Sequence, residues 1–225
     1  MTSTPESVKK IRRKLRKYFP RLVVFFKGMS LLYEKRSYLK ESGYLESAIK
    51  YMPIRQDGSP LPWMNYSIIS FLEQRLSKKL TLFEYGSGNS TLFFSNLVDS
   101  VVSVECDRHW YEYVVKTMPE NVELILCDPF DVETYSKIIQ QQGKKFDVVI
   151  VDAEDRVNCL LNAQECLTEK GVMILDDSKG EGWHSVIEQL QKKGFKKLDF
   201  EGLKPGRTRG YRTTIFYKTD NCMGV

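Results

Sequence analysis

The sequence predicts an α/β protein: a seven-stranded, mostly parallel, doubly wound sheet with an antiparallel seventh strand, preceded by a helical arm. Three observations predict it. From residue 66 onward, short apolar runs alternate with segments whose apolar residues recur every three or four positions. The short runs are nearly continuous in apolar residues, as in Phe146-Asp-Val-Val-Ile-Val151, the pattern of strands covered by helices on both faces. The last two runs, Phe195–Phe200 and Thr213–Lys218, are joined by Glu201–Arg212, which is glycine-rich and too short for a right-handed helical crossover. Strand seven therefore runs antiparallel to strand six.

Taken in order, residues 1–7 read as disordered. Residues 8–19 form a basic helix with Val8, Ile11, Leu15 and Phe19 on one stripe, interrupted by Pro20, and apolar residues continue to Leu31, Leu32 and Tyr33. Residues 1–36 carry eleven Lys and Arg against two acids, so this segment is +9 and the other 189 residues sum to −4. Two readings fit such an arm. It lies on an anionic membrane surface or on nucleic acid, or it packs on the body or on a second copy of the chain as a homodimer. Tyr18 and Phe19 are few aromatics among so many charges, which supports stacking on bases poorly, so nucleic acid is not an expected partner. No run reaches the roughly 18–20 apolar residues of a membrane span. Leu22–Phe26 is too short for a secretory signal core and lacks a small-residue cleavage site, so a cytoplasmic protein is expected, with membrane association through residues 8–33 as the variant. The five cysteines form no C-x-x-C pair and read as reduced thiols.

Residues 37–66 are rich in Ser, Gly, Pro and Tyr and read as an ordered loop, with Pro60 and Pro62 forbidding a regular element. Trp63, Met64 and Tyr66 need a surface to bury against; they cover the ligand site or plug the sheet edge. The expected organisation is an arm and loop over 1–65, a main domain over 66–219 and a tail over 220–225. Within the domain, helical spacing marks Ile68–Leu76, Ser90–Leu97, Trp110–Thr117 (stopped by Pro119), Val132–Ile139, Val157–Leu167 (closed by Gly171) and Trp183–Leu190. The strands are Thr81–Tyr85, Val101–Cys106, Val122–Cys127, Phe146–Val151 and Val172–Leu175, followed by the final two.

The centre of this pattern is Thr81-Leu-Phe-Glu-Tyr-Gly-Ser-Gly-Asn-Ser-Thr91, a strand that turns through Gly86 and Gly88 into a helix start. Thr91 stands where a dinucleotide fold wants its third glycine. Glu84, just before the turn, would repel phosphates and suits a cationic amino-acid ligand better. Each following strand also ends on an acid: Glu105, then Asp107; Asp128; Asp152; Asp176 and Asp177. Ligands of open α/β sheets sit at the carboxyl ends of the strands. Glu105 lies 17 residues after Gly88, and its two oxygens suit both hydroxyls of a ribose. Asp128 suits the exocyclic amine of an adenine, or else caps the helix that starts near Val132.

Glu84-Tyr-Gly-Ser-Gly88, Val104-Glu-Cys-Asp107, Leu126-Cys-Asp128, Phe146–Asp152 and Gly171-Val-Met-Ile-Leu-Asp-Asp177, in this order, resemble the class I S-adenosylmethionine-dependent methyltransferases, whose Rossmann-like sheet has an antiparallel seventh strand. The Pro-Trp segment, Tyr85–Thr91, Asp155-Arg156 and the final Gly-Phe-Lys and Thr-Thr-Ile-Phe-Tyr segments look like a bacterial group of small methyltransferases. The resemblance covers roughly residues 66–218. It implies S-adenosylmethionine as cofactor, with Glu84, Gly86 and Gly88 toward the methionine part, Glu105 toward the ribose and Asp128 toward the adenine. The full expected cofactor set is Glu84, Tyr85, Gly86, Ser87, Gly88, Ser90, Glu105, Cys106, Asp128, Pro129 and Asp152.

The acceptor is expected over strands four and five, where Asp152, Asp176 and Asp177 converge. In the catechol-type O-methyltransferases acids at such places hold Mg²⁺, and three oxygen ligands plus waters suit that ion. The alternatives are a metal-free base at Asp176 or Asp177, or acids that only cap the next helix. His184 is a further candidate base, with an ordinary exposed or core histidine as its alternative. Trp63, Arg156, Arg207 and Arg209 are candidates for the substrate, the arginines for an anionic group on it. After strand four the chain reads Asp152-Ala-Glu-Asp155, not the Asn/Asp-Pro-Pro-aromatic motif of amino-group methylation, which favours an oxygen acceptor. The expected activity is O-methylation of a small or carrier-linked acceptor, such as a sugar or natural product. Its rivals are an RNA methyltransferase using the basic arm and a non-catalytic nucleoside-binding or membrane-tethered module.

Overall fold

The structure, a computed structural model, describes residues 6–127 and 132–225. Its strands are β1 Thr81–Tyr85, β2 Ser100–Glu105, β3 Val122–Leu126, β4 Phe146–Val151, β5 Leu167–Leu175, β6 Lys196–Leu203 and β7 Gly210–Tyr217. They form one sheet in the order β3-β2-β1-β4-β5-β7-β6. β1 through β5 are mutually parallel, and β7 lies antiparallel between β5 and β6. The order reverses at β1, which pairs with β2 on one side and β4 on the other, and a crevice opens above that point.

The helices are α1 Glu6–Tyr18, α2 Pro20–Tyr33, α3 Tyr38–Glu41, α4 Tyr44–Lys50, α5 Tyr66–Arg75, α6 Asn89–Leu97, α7 Arg108–Val114, α8 Val132–Gln141, α9 Arg156–Ala163 and α10 His184–Lys192. Side chains alternate across each strand, so both faces of the sheet need apolar residues. Phe83, Val102, Val149, Val151 and Met173 pack on one face with residues of α8, α9 and α10, among them Ile139, Leu160 and Leu190. Leu82, Val101, Val148, Ile150 and Ile174 pack on the other with Ile68, Leu72 and Phe94 of α5 and α6. Two buried layers on one sheet explain why the strands read as unbroken apolar runs.

Asn65 joins the two ends of the chain's body. It is fully buried and caps α5 by accepting from the Ile68 amide at 3.1 Å. Its own amide donates to Phe200 O at 3.0 Å and to Thr213 Oγ1 at 3.1 Å. The tail also packs back: Met223 is buried and the Cys222 amide donates to Lys170 O at 2.7 Å.

Three expectations are corrected. The first half of 37–66 is not loop but two short helices, α3 and α4. Ser37 caps α3, and Ser47 on α4 bonds both Ile54 O at 2.9 Å and Ile54 N at 3.0 Å, satisfying the chain that folds back beneath it. The helix expected to reach Leu167 ends at a 3-10 turn over Gln164–Cys166, and Leu167 already begins β5. Gly171 is therefore inside a strand, where a Cβ would stand 3.0 Å from Phe146 O; the β4–β5 register shifts between Phe146 and Val148. Glu6 and Ser7 are already helical, in α1, while residues 1–5 lie outside the described residues. Pro20 does interrupt the arm, because at the first position of α2 its missing N–H costs nothing. Neither α1 nor α2 buries a residue.

Candidate active site

The site is built on the turn from β1 into α6. Gly86 has φ +112°, and a Cβ there would stand 3.0 Å from Asp152 O. Gly88 has φ +143°, with the Trp110 ring where its Cβ would be, at 3.3 Å. Glycine alone lets the turn lie this close to β4 and α7. Thr91 then holds the helix start: its hydroxyl accepts from the Gly88 amide at 3.0 Å and donates to Glu84 Oε2 at 2.6 Å.

Glu84 is buried under the turn. Burial pushes its carboxyl up to about 7; hydroxyls of Ser90, Thr91 and Ser103 pull it down, and the Asp152 charge pushes further up. Glu105 ends β2 and is also buried. Its Oε1 accepts from the amides of Cys106 and Asp107, both at 2.8 Å, and its Oε2 accepts from the Ser87 hydroxyl at 2.6 Å. One oxygen is thus pinned by backbone, and the other faces the glycine turn. Asp107 caps α7 through the Trp110 amide at 3.0 Å, and the Trp110 indole donates to Ser87 O at 3.0 Å.

Glu84, Gly86, Glu105 and Asp107 border a cleft of about 1000 Å³, at the upper end of the roughly 300–1,000 Å³ usual for small-molecule sites. Of the predicted residues, Glu84, Gly86, Ser87, Ser90, Glu105, Cys106, Asp152 and Arg156 line it. Arg156, in the first turn of α9, pairs with Asp152 at 2.6 Å; its Nε is buried without a hydrogen-bond partner among the described residues. Tyr85 is core instead: it is fully buried and donates its hydroxyl to Ser136 O at 2.7 Å, beneath α8. Gly88 shapes the turn without lining the cleft. Asp128 and Pro129 lie outside the described residues. Sequence reasoning missed Thr91 as the partner of Glu84, and Trp110 as the ring beside the turn; the latter had a signal, an aromatic five residues after the β2 acid.

The acids after β5 have another partner. Asp176 is fully buried; its Oδ1 accepts from Thr213 Oγ1 at 2.7 Å and its Oδ2 from Lys204 Nζ at 2.6 Å. The same ammonium lies 2.6 Å from Asp177 Oδ1 and 4.8 Å from the centre of the Tyr211 ring. Burial raises the Asp176 carboxyl, with the Asp152 charge adding to it and Lys204 opposing. Burial works to lower the Lys204 pKa, but its two carboxylate partners carry it above the ordinary lysine value. The donor set expected for Mg²⁺ at Asp152, Asp176 and Asp177 does not fit that ion, because Lys204 already holds both β5 acids and Arg156 holds Asp152. Among the described residues no group of three or more His, Cys, Asp or Glu side chains is gathered to bind a metal.

The remaining candidates do not converge on the cleft. His184 is exposed at the start of α10. Trp63 donates its indole N–H to Pro205 O at 3.0 Å, and the Arg207 guanidinium stacks over its ring at 4.6 Å, beside the β6–β7 connection. Arg207 and Arg209 are exposed on that connection. Met64 and Tyr66 are buried against α5 and the sheet.

Solved structures share this architecture. A precorrin 8W decarboxylase from Methanobacterium thermoautotrophicum matches with a TM-score of 0.51 at 16% identity, over 68% of this chain and 87% of its own. The N-methyltransferase NodS from Bradyrhizobium japonicum matches at 0.50 and 10% identity, over 68% of this chain and 92% of its own. The fold is that of the class I methyltransferases. An rRNA methylase from Streptococcus thermophilus matches at 0.49 and 13% identity, over 67% and 93% of the two chains. No protein-family model matches the chain, and no curated protein sequence does. In this fold the cleft lies over the β1–β4 reversal, where open sheets take their ligands.

Proposed function

We propose that the protein is an S-adenosylmethionine-dependent methyltransferase that methylates an oxygen of a small or carrier-linked anionic acceptor. The observation that carries this reading is the carboxylate of Glu105. Two amides fix one of its oxygens, and the other takes a hydroxyl donor, Ser87, at the wall of the cleft. A ribose hydroxyl is the same kind of donor. Gly86, Ser87 and Ser90 would border the methionine part of the cofactor, with Glu84 beneath them, and Cys106 would lie beside the nucleoside. Asp128 keeps its proposed place at the adenine and Pro129 its place in the proposed cofactor set. When bound, S-adenosylmethionine supplies an electrophilic methyl group on a sulfonium.

The chain's own work is to hold the acceptor oxygen in line and to accept its proton. Asp152 takes the proton. Arg156 lines the cleft and holds an anionic group of the acceptor through its guanidinium. Asp152-Ala-Glu-Asp155 after β4 favours oxygen over an amino nitrogen. Lys204, Asp176 and Asp177 brace the acceptor side as an internal ion cluster, so this reading needs no metal there.

Calorimetry with S-adenosylhomocysteine tests the reading. Hydrogen bonds to a charged group contribute about 1.5–3 kcal/mol, so Glu105→Ala should weaken binding by roughly ten- to a hundredfold. Unchanged affinity in a folded Glu105→Ala protein would overturn the assignment.

A further inference from the structure

The arm, which the proposed chemistry does not use, has an unusual surface. On α1, Val8, Ile11, Leu15 and Tyr18 form one stripe and are 36–63% exposed. The rest of its circumference holds seven Lys and Arg and one acid, Glu6. α2 is different: it is apolar all round. Leu22, Val24, Phe25, Phe26, Leu31 and Leu32 are each at least 40% exposed, Arg21 and Lys27 are its charges, and it has no acid. A helix that is hydrophobic on every side is normally buried. Among the described residues none buries a side chain of this one.

We infer that α1 and α2 seat the protein on an anionic bilayer surface, α2 sunk among the acyl chains and headgroups and α1 lying across the phosphates. Charge decides between occupants. The partner must offer apolar depth and negative charge together, which an anionic leaflet does. A second copy of the arm would bring two +9 segments together in a low-dielectric contact. The arm lies in the surface and does not cross it: fourteen residues of α2 span about 21 Å against about 30 Å of hydrocarbon. Among the described residues no helix is long and apolar enough to cross a membrane. This inference is independent of the methyl-transfer reading, since none of these residues lines the cleft.

The test is co-sedimentation of the full chain with vesicles of phosphatidylcholine alone and of phosphatidylcholine mixed with phosphatidylglycerol. Binding is expected to the mixed vesicles and to weaken steeply with salt. Arg12→Glu should weaken it at least fivefold, and Phe25→Ser with Phe26→Ser at least about tenfold. The arm residues are exposed, so the urea unfolding midpoint should not move. Two results would overturn the inference: no binding to the mixed vesicles, or binding that the Phe25/Phe26 variant retains in full. Light scattering that shows a wild-type dimer, a monomeric Phe25/Phe26 variant and no vesicle binding would assign the arm to a second copy instead. Tight salt-dependent RNA binding without vesicle binding would also overturn it.

Discussion

Lys204→Met would remove the cation that sits between Asp176 and Asp177 while keeping most of the side chain's volume. In the native protein Asp176 is fully buried and has two partners, the Lys204 ammonium at 2.6 Å and the Thr213 hydroxyl at 2.7 Å. The variant leaves a buried carboxylate with one neutral donor and with Asp152 nearby. Breaking a buried pair in this way costs about 3–5 kcal/mol. In a chain of this size each kcal/mol moves Tm by about 2–4 °C, so a fall on the order of 10 °C is expected. The penalty should also depend on pH. Without the ammonium, the folded-state pKa of Asp176 rises further above its unfolded value. Such a group's stabilisation is complete below the unfolded pKa and is lost as pH rises through the folded one. The variant should therefore lie nearest the wild type at about pH 4 and furthest from it at neutral pH. Urea unfolding at several pH values measures this, and adding Asp176→Asn to Lys204→Met should recover much of the loss. A penalty under about 1 kcal/mol, flat across pH and not rescued by Asp176→Asn, would refute the account of an internal ammonium holding the β5 acids.

Two further outcomes follow from the glycine turn. Glu84 has a folded pKa of about 7 against an ordinary 4.5, so its contribution is present below 4.5 and disappears as pH rises through 7. Glu84→Gln, which still accepts from Thr91, should raise the unfolding free energy measured in urea at pH 8 by an amount on the order of 3 kcal/mol relative to wild type, with little gain at pH 5. Gly86→Ala forces a side chain into φ +112° and to within 3.0 Å of Asp152 O. It should cost about 1–3 kcal/mol in thermal unfolding and weaken S-adenosylhomocysteine binding in calorimetry.

What could be read from the chain alone was whatever depends on local periodicity and on strand ends. Unbroken apolar runs require cover on both faces. A glycine turn after a strand requires a backbone that another element approaches. Glu105 could be singled out because a carboxylate at the carboxyl end of a parallel strand lies at the edge where open sheets take their ligands. The antiparallel β7 followed from a connection too short to cross the sheet. Tertiary structure alone decided the pairings between residues far apart in sequence. No local pattern sets Lys204 apart from the other basic residues of the Glu201–Arg212 segment; it becomes the partner of Asp176, 28 residues earlier, because β7 inserts between β5 and β6 and folds the β6–β7 connection back over the β5 end. That contact replaces the expected metal with a side chain, and no spacing rule encodes it. Likewise, Gly171 as a helix stop and Gly171 inside a strand have the same local sequence. The close approach of Phe146 O, which leaves no room for a Cβ, distinguishes them. Periodicity acts through neighbours along the chain, whereas charge satisfaction and close packing act through neighbours in space, and these exist only once the sheet has formed.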